Sequence, residues 1–221
     1  MAMPKDAEAW WRGLLDGSSR LVTHWDEADE RRLLLRRVDP TAPPLTKREC
    51  AVVLGATRGR GVTLIALELG IAPATASEHL ASAMQKLGVR TRAQLVMLFA
   101  SGSQTLLPPA GLRAARAAPD EMVLRFPLRT EALTLTRTEQ LICRHILAGL
   151  GNLEIARRRG RSQRTIANQI ASIYAKLDVG SRGELTSLLA NHSLSRQPAG
   201  GSSTLTHSPP SADRSKITAP P

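Results

Sequence analysis

A chain of 221 residues with 42% hydrophobic content can bury a sizeable core as one large domain or two small ones. Aromatic residues make up only 3% and charged residues 22%, with Ala and Leu abundant, a balance that argues for packed helices against sandwiches and barrels. The formal charge of +11 raises the prior for a polyanionic partner but does not choose among DNA, RNA, anionic lipid and acidic protein.

In chain order, residues 1–44 read as a small helix plus β-hairpin module, with seven Lys/Arg against eight Asp/Glu. A short helix over 7–15 carries Trp10 and Trp11; RLVTHW (20–25) and RRLLLRRV (31–38) then flank the polar turn DEADE. With Trp25 these are nearly all the large aromatics, so the module is either an interaction surface or simple packing on the first helical domain.

From Leu45 the sequence repeats itself at an offset of 90 residues without a gap. Leu45, Thr46, Glu49, Ile65, Ala66, Gly70, Thr75, Lys86, Leu87, Val89, Arg92 and Leu95 recur as Leu135, Thr136, Glu139, Ile155, Ala156, Gly160, Thr165, Lys176, Leu177, Val179, Arg182 and Leu185. The fold class this predicts is mainly α: two tandem four-helix helix-turn-helix domains, over 45–100 and 135–190. In each copy a Thr-x-x-Glu capping box opens the first helix, and a second helix over 63–69 or 153–159 stops at a glycine. The third helix begins at Pro73 or after the N-cap Ser162, and a fourth covers roughly 91–100 or 181–190. Glu49 with Arg92 and Glu139 with Arg182 are expected to pair and join first to fourth helix.

Residues 101–134 read as a linker rich in Pro, Ala, Gly and Ser, with one short strand: VLRFPL (123–128) lies 90 residues after LLLRRV (33–38). The tail, 191–221, has almost no apolar periodicity and is expected to be disordered. The positive charge sits in the copies, seven Lys/Arg against three Asp/Glu over 45–98 and nine against four over 135–189.

A short helix, a glycine turn and a longer helix can lay the longer helix in a DNA major groove, so its outward residues must decide. In the second copy Ile166, Ile170, Ile173 and Leu177 form an inward stripe. The opposite side presents Arg164, Asn168, Ala171 and Ala175, flanked by Ala167 and Ser172. A guanidinium can reach guanine O6/N7 and an amide adenine N6/N7, while alanines let the backbone approach. Ser162, Thr165 and the helix N-terminus suit phosphate. Arg158, Arg161, Gln169 and Lys176 complete the candidate DNA-binding set. Five arginines fall within 157–164, where cations position a protein on a duplex without reading its sequence. Arg159 and Arg161 align with the core-type Leu69 and Ile71, so either they snorkel outward or the second copy packs loosely.

The ordered pattern LT..E, IA, G, T, KL.V and R, present twice, resembles the LuxR-type helix-turn-helix family of bacterial transcription regulators. The resemblance covers about half the chain. It implies a four-helix DNA-binding domain, usually dimeric through its last helix, with base contacts at the positions matching Ala167, Asn168 and Ala171. In the first copy the corresponding face reads Ala74, Glu78, Ala81 and Gln85. A second candidate set, Thr75, Ser77, Glu78, His79, Ala81, Ser82 and Lys86, therefore includes a carboxylate that accepts from cytosine N4 yet repels phosphate. That copy either binds DNA weakly or serves as a pairing module.

Cys50 and Cys143 form no CxxC, and the histidines are scattered, so no disulfide framework, metal or cofactor is expected. There is neither a nucleophile beside a base nor a phosphate loop, so no enzyme is expected. The lack of a leader or an apolar run near eighteen residues points to a cytoplasmic protein with no membrane partner. The partner expected is double-stranded DNA, bound as a homodimer or as an intrachain pseudo-dimer. The alternative is an adaptor that uses these folds to bind another regulator or RNA polymerase.

Overall fold

A computed structural model describes residues 4–27, 30–38, 41–99, 106–128 and 133–192. The tail expected to be disordered falls, from residue 193 on, outside the described residues. The elements are α1 (Pro4–Asp16), β1 (Ser19–Glu27), β2 (Glu30–Arg37), α2 (Lys47–Thr57), α3 (Val62–Leu69), α4 (Pro73–Leu87) and α5 (Arg92–Phe99). They continue as β3 (Arg113–Ala118), β4 (Glu121–Pro127), α6 (Arg137–Leu147), α7 (Asn152–Arg159), α8 (Gln163–Leu177) and α9 (Arg182–Ala190). The chain is mainly α, and α2–α5 and α6–α9 are the two four-helix units.

Local chemistry sets the helix limits. Both capping boxes form, Thr46 with Glu49 and Thr136 with Glu139, so each carboxylate and hydroxyl satisfy one another's orphan backbone donors. Gly70 (φ 63°) and Gly160 (φ 59°) close α3 and α7 in the left-handed region that a Cβ disfavours. Pro73 occupies the first turn of α4, and the Ser162 hydroxyl caps α8 by accepting from the Thr165 N–H.

The stretch read as a linker with one strand carries a whole hairpin, β3–β4, which joins the N-terminal hairpin in one antiparallel sheet of order β1-β2-β4-β3. One face is covered: Arg31, Leu33 and Leu35 of β2 lie beside Phe126, Leu124 and Met122 of β4. Against it α1 packs Trp10, Trp11 and Leu14, and Trp11 meets Phe99 and Phe126 edge to face at 5.7 and 6.3 Å. Trp10 and Trp11 are thus core residues and do not form an interaction surface. Trp25, on the open face, is the exposed tryptophan.

The two hairpins are related by an approximate twofold normal to the sheet at the Leu33–Leu124 pair, which exchanges Arg31 with Met122 and Leu35 with Phe126. Matching covered face to covered face needs a step of 91, one more than the step of 90 that carries the helical units. At 90, buried Leu33 would fall on Val123, which faces the other side.

The two helical units meet through α5 and α9. Val96 and Met97 of α5 are buried within the core of the second unit. Gly183 at the start of α9 lies against the Gly59 carbonyl, so close that a Cβ would collide, and elsewhere in the junction Gly149 lies against Thr91. Ser187 Oγ donates to the Thr57 carbonyl at 2.8 Å. Arg31, fully buried, bolts this junction to the sheet: its Nη1 donates to the Met97 and Ala190 carbonyls, at the ends of α5 and α9, at 3.0 and 2.7 Å. Its Nε and Nη2 form a two-pronged pair with Asp26 at 2.8 and 3.0 Å.

The expected ion pairs between first and fourth helices do not form. Glu49 instead takes the Lys86 ammonium at 2.7 Å and the Ser82 hydroxyl at 2.6 Å, and Glu139 takes Lys176 at 2.7 Å. The arginines go to bare turn carbonyls, Arg92 to Arg60 and Arg182 to Leu150, with Arg182 also donating to Asn152 Oδ1 at 3.0 Å. The reason is reach: the last turn of the third helix brings its lysine to the cap of the first, while the arginine sits beside a turn whose carbonyls have no helical partner.

Candidate nucleic-acid interface

Along α8, Ile166, Ile170 and Ile173 are buried and Leu177 half-buried, which turns the opposite side to solvent. Arg164, Thr165, Ala167, Asn168, Ala171, Ser172 and Ala175 are all exposed, and nothing else in the described chain covers them. At the N-terminus Ser162 and Thr165 hydroxyls lie 2.8 Å apart and share one hydrogen bond, the Ser162 hydroxyl also accepts from the Thr165 N–H, and the N–H groups of Gln163 and Arg164 precede the first intrahelical acceptor.

Two members of the candidate set are placed differently from expectation. Lys176 is engaged with Glu139, because its long stem folds back toward the α6 cap, so it is an internal ion-pair partner before it is a phosphate clamp. Gln169 is half-buried, with Oε1 enclosed and unpartnered among the described residues, since its azimuth falls beside the isoleucine stripe.

The cationic flank comes from α7 and the turn after it. Arg157, Arg158 and Arg161 are exposed, and Arg158 makes a solvent-exposed i,i+4 contact with Glu154 at 3.2 Å, of a kind worth little. Of the two core-aligned arginines, Arg161 turns outward, whereas Arg159 is half-buried with its Nε enclosed and unpartnered among the described residues. The field of this cluster is felt nearby: burial, then Arg158 and Arg159, depress the His145 pKa.

On α4, Ser77, Glu78 and Ala81 are exposed, as are Ala74 and Gln85; Thr75 and His79 are half-buried. Ser82 and Lys86 both bind Glu49, and so belong to the internal network that holds α4 to α2. Ser77 is tied to the Pro73 carbonyl at 2.9 Å. The preceding helix differs most: α3 exposes Leu64 and, at 78%, Leu67, where α7 has Glu154 and Arg157. Sequence reading missed the Arg31 bolt and the Gly59–Gly183 contact. The one available signal was the exchange of Ala93 in the first copy for Gly183 in the second.

Each unit thus offers a solvent-facing third helix held on a buried stripe, and in the second unit arginines surround it. Such a pair of units defines a DNA-binding helix-turn-helix regulator. The family model described as bacterial regulatory proteins, luxR family, matches residues 43–99 and again 133–189. The chain belongs to that family, a family of DNA-binding regulators and not of enzymes, and carries its domain twice in tandem. No curated protein and no solved structure matches the chain. Among the described residues no helix is long and apolar enough to cross a membrane.

Proposed function

We propose that the protein is a cytoplasmic transcription regulator that reads DNA by laying α8 in the major groove. The observation that carries this reading is the exposed row Arg164, Asn168 and Ala171 directly opposite the buried isoleucines. In this role Arg164 takes a guanine edge or a phosphate, Asn168 takes adenine, and Ala167 and Ala171 permit close approach. Ser172 borders the groove wall, while Ser162, Thr165, Arg158 and Arg161 hold the backbone. The tandem repeat of the domain and the α5–α9 contact between its copies support an intrachain pseudo-dimer, in which α4 lies toward the neighbouring half-site and contributes less because Glu78 repels phosphate. No second chain is needed for this arrangement.

The experiment is a selection of bound duplexes from random DNA, followed by gel-shift titration at several salt concentrations. A recovered motif with a steep salt dependence is the expected result; binding that is equal on every duplex, or absent at low salt, overturns it. A second reading, docking of another protein such as a regulator or RNA polymerase, is favoured by one observation: exposed Leu64 and Leu67 on α3. In that case L64S/L67S leaves duplex affinity intact and lowers transcriptional output.

A further inference from the structure

The four-stranded sheet covers one face and leaves the other open. Residues that pair across the strands share a face, and one cross-strand row of the open face reads Trp25, Arg32, Arg125, Arg113. Three arginines on adjacent strands stand side by side at strand spacings of about 4.8 Å. Like charges directly opposite one another destabilise a sheet, so such a row costs stability unless an anion lies along it. Of the three, Arg32 is neutralised by Glu27 at 2.5 Å. Among the described residues Arg113 and Arg125 have no ion-pair partner, and the Nε atoms of Arg32 and Arg125 are enclosed without any acceptor. The next row, Thr23, Leu34, Val123 and Ala115, is uncharged and low, so nothing charged walls off the arginines on that side. Glu30 lies at the β1–β2 end, leaving the β3–β4 half as the cationic one. At the other end of the row, Trp25 is exposed on edge strand β1.

The geometry points to a second nucleic-acid site on this open sheet face, one that takes a single strand: guanidiniums of Arg125 and Arg113 along the phosphates, and the Trp25 indole beneath an unpaired base. Guanidinium forks match phosphate oxygens, and an indole offers a stacking platform that every base can use, so this site is indifferent to sequence. The row spans three strand intervals, about 14 Å, which suits a short run of nucleotides and not a duplex that must enter a groove. The site lies on the face away from α1 and is independent of the α8 reading.

Anisotropy of a labelled oligothymidine at low salt tests it in the full chain. Replacing Arg113 and Arg125 together (R113Q/R125Q) is expected to weaken binding about tenfold, and W25A about fivefold, with binding of the selected duplex unchanged. R12Q/R90Q removes the same charge elsewhere and is expected to have little effect. Should the sheet double variant fail to fold by circular dichroism, R113Q alone, on the exposed edge strand, carries the same expectation at about threefold. An equal loss in R12Q/R90Q would reduce the effect to diffuse charge and overturn the site. So would loss on R164A/N168A in place of the sheet variants, since the strand would then sit on α8. Competition by oligoglutamate as effective as by oligothymidine would instead make the face a dock for acidic protein, and would also overturn it.

Discussion

Glu49 and Glu139 show how one carboxylate can serve a cap and an ion pair together. Burial works to raise the Glu49 pKa, but hydrogen bonds from Lys86, Ser82 and Thr46 outweigh it and bring the carboxyl to about 2. In Glu139 the Lys176 hydrogen bond is the largest influence, and the shift is also downward. A carboxyl depressed on folding stabilises the fold above its unfolded pKa, and that contribution disappears as pH falls through the folded value. Thermal melts should therefore lose stability between about pH 5 and pH 2. E49Q should be less stable at pH 7, by on the order of 1–3 kcal/mol, and flatter over the acid range. The same geometry separates the candidate DNA contacts. R164A or N168A should cost about 1–3 kcal/mol on a selected duplex and relax base preference, whereas R158A should weaken all duplexes and flatten the salt slope. K176M, by contrast, should lower the melting temperature more than it changes that slope; a slope change as large as that of R158A would return Lys176 to the phosphate set. The caps were legible in the sequence, since Thr-x-x-Glu before an apolar run has few other uses. The lysine's true partner was not, because a helical wheel gives an azimuth and says nothing of where a flexible four-carbon stem will fold.

The elements divide along similar lines. All eight helices of the two units could be read from caps, glycines and apolar spacing. β4 was visible as an echo of β2, but β3 was hidden: RAARAA has no β-branched or aromatic residue and forms a strand because β4 offers it a ladder. The coupling between sheet and helices was also out of reach, since Arg31 finds the ends of two helices 66 and 159 residues away. Buried and hydrogen-bonded through all its guanidinium nitrogens, it fixes α5 against α9 and both against the sheet. Replacing it with methionine keeps the volume but strands two carbonyls and the Asp26 carboxylate. R31M should lower stability in urea by about 3 kcal/mol and split one unfolding transition into two, as the units lose their common bolt. G183A tests the same junction from the other side. Its methyl has no room against the Gly59 carbonyl, so the α9 start must shift, and duplex affinity should fall although each unit keeps its helical signal. A G183A protein with unchanged affinity would mean that the spacing of the units is irrelevant to binding.

For the whole molecule, two copies of one domain that meet through α5 and α9 make one chain resemble a dimer whose halves have diverged. The shared framework includes capping boxes, the Glu–Lys pairs, the glycine turns and the α5–α9 contact. The divergence lies on the exposed faces, where Leu67, Glu68, Ala74 and Glu78 stand against Arg157, Arg158, Arg164 and Asn168. A symmetric homodimer reads two like half-sites, and its affinity falls with dilution as subunits part. A fused pair has neither constraint: it should bind as one chain per duplex, at a concentration-independent stoichiometry, to a site with one strong half and one weak. Restoring the second copy's chemistry in the first tests this directly. A74R/E78N places a guanidinium and an amide at the matching positions of α4, on a surface where both side chains are already exposed. On an inverted repeat of the strong half-site this variant should gain about 1–3 kcal/mol over the parent chain, with no gain on a duplex that holds a single half-site. An equal gain on both would reflect added charge alone. No gain on either would mean that α4 is turned from the duplex, and that only α8 reads it.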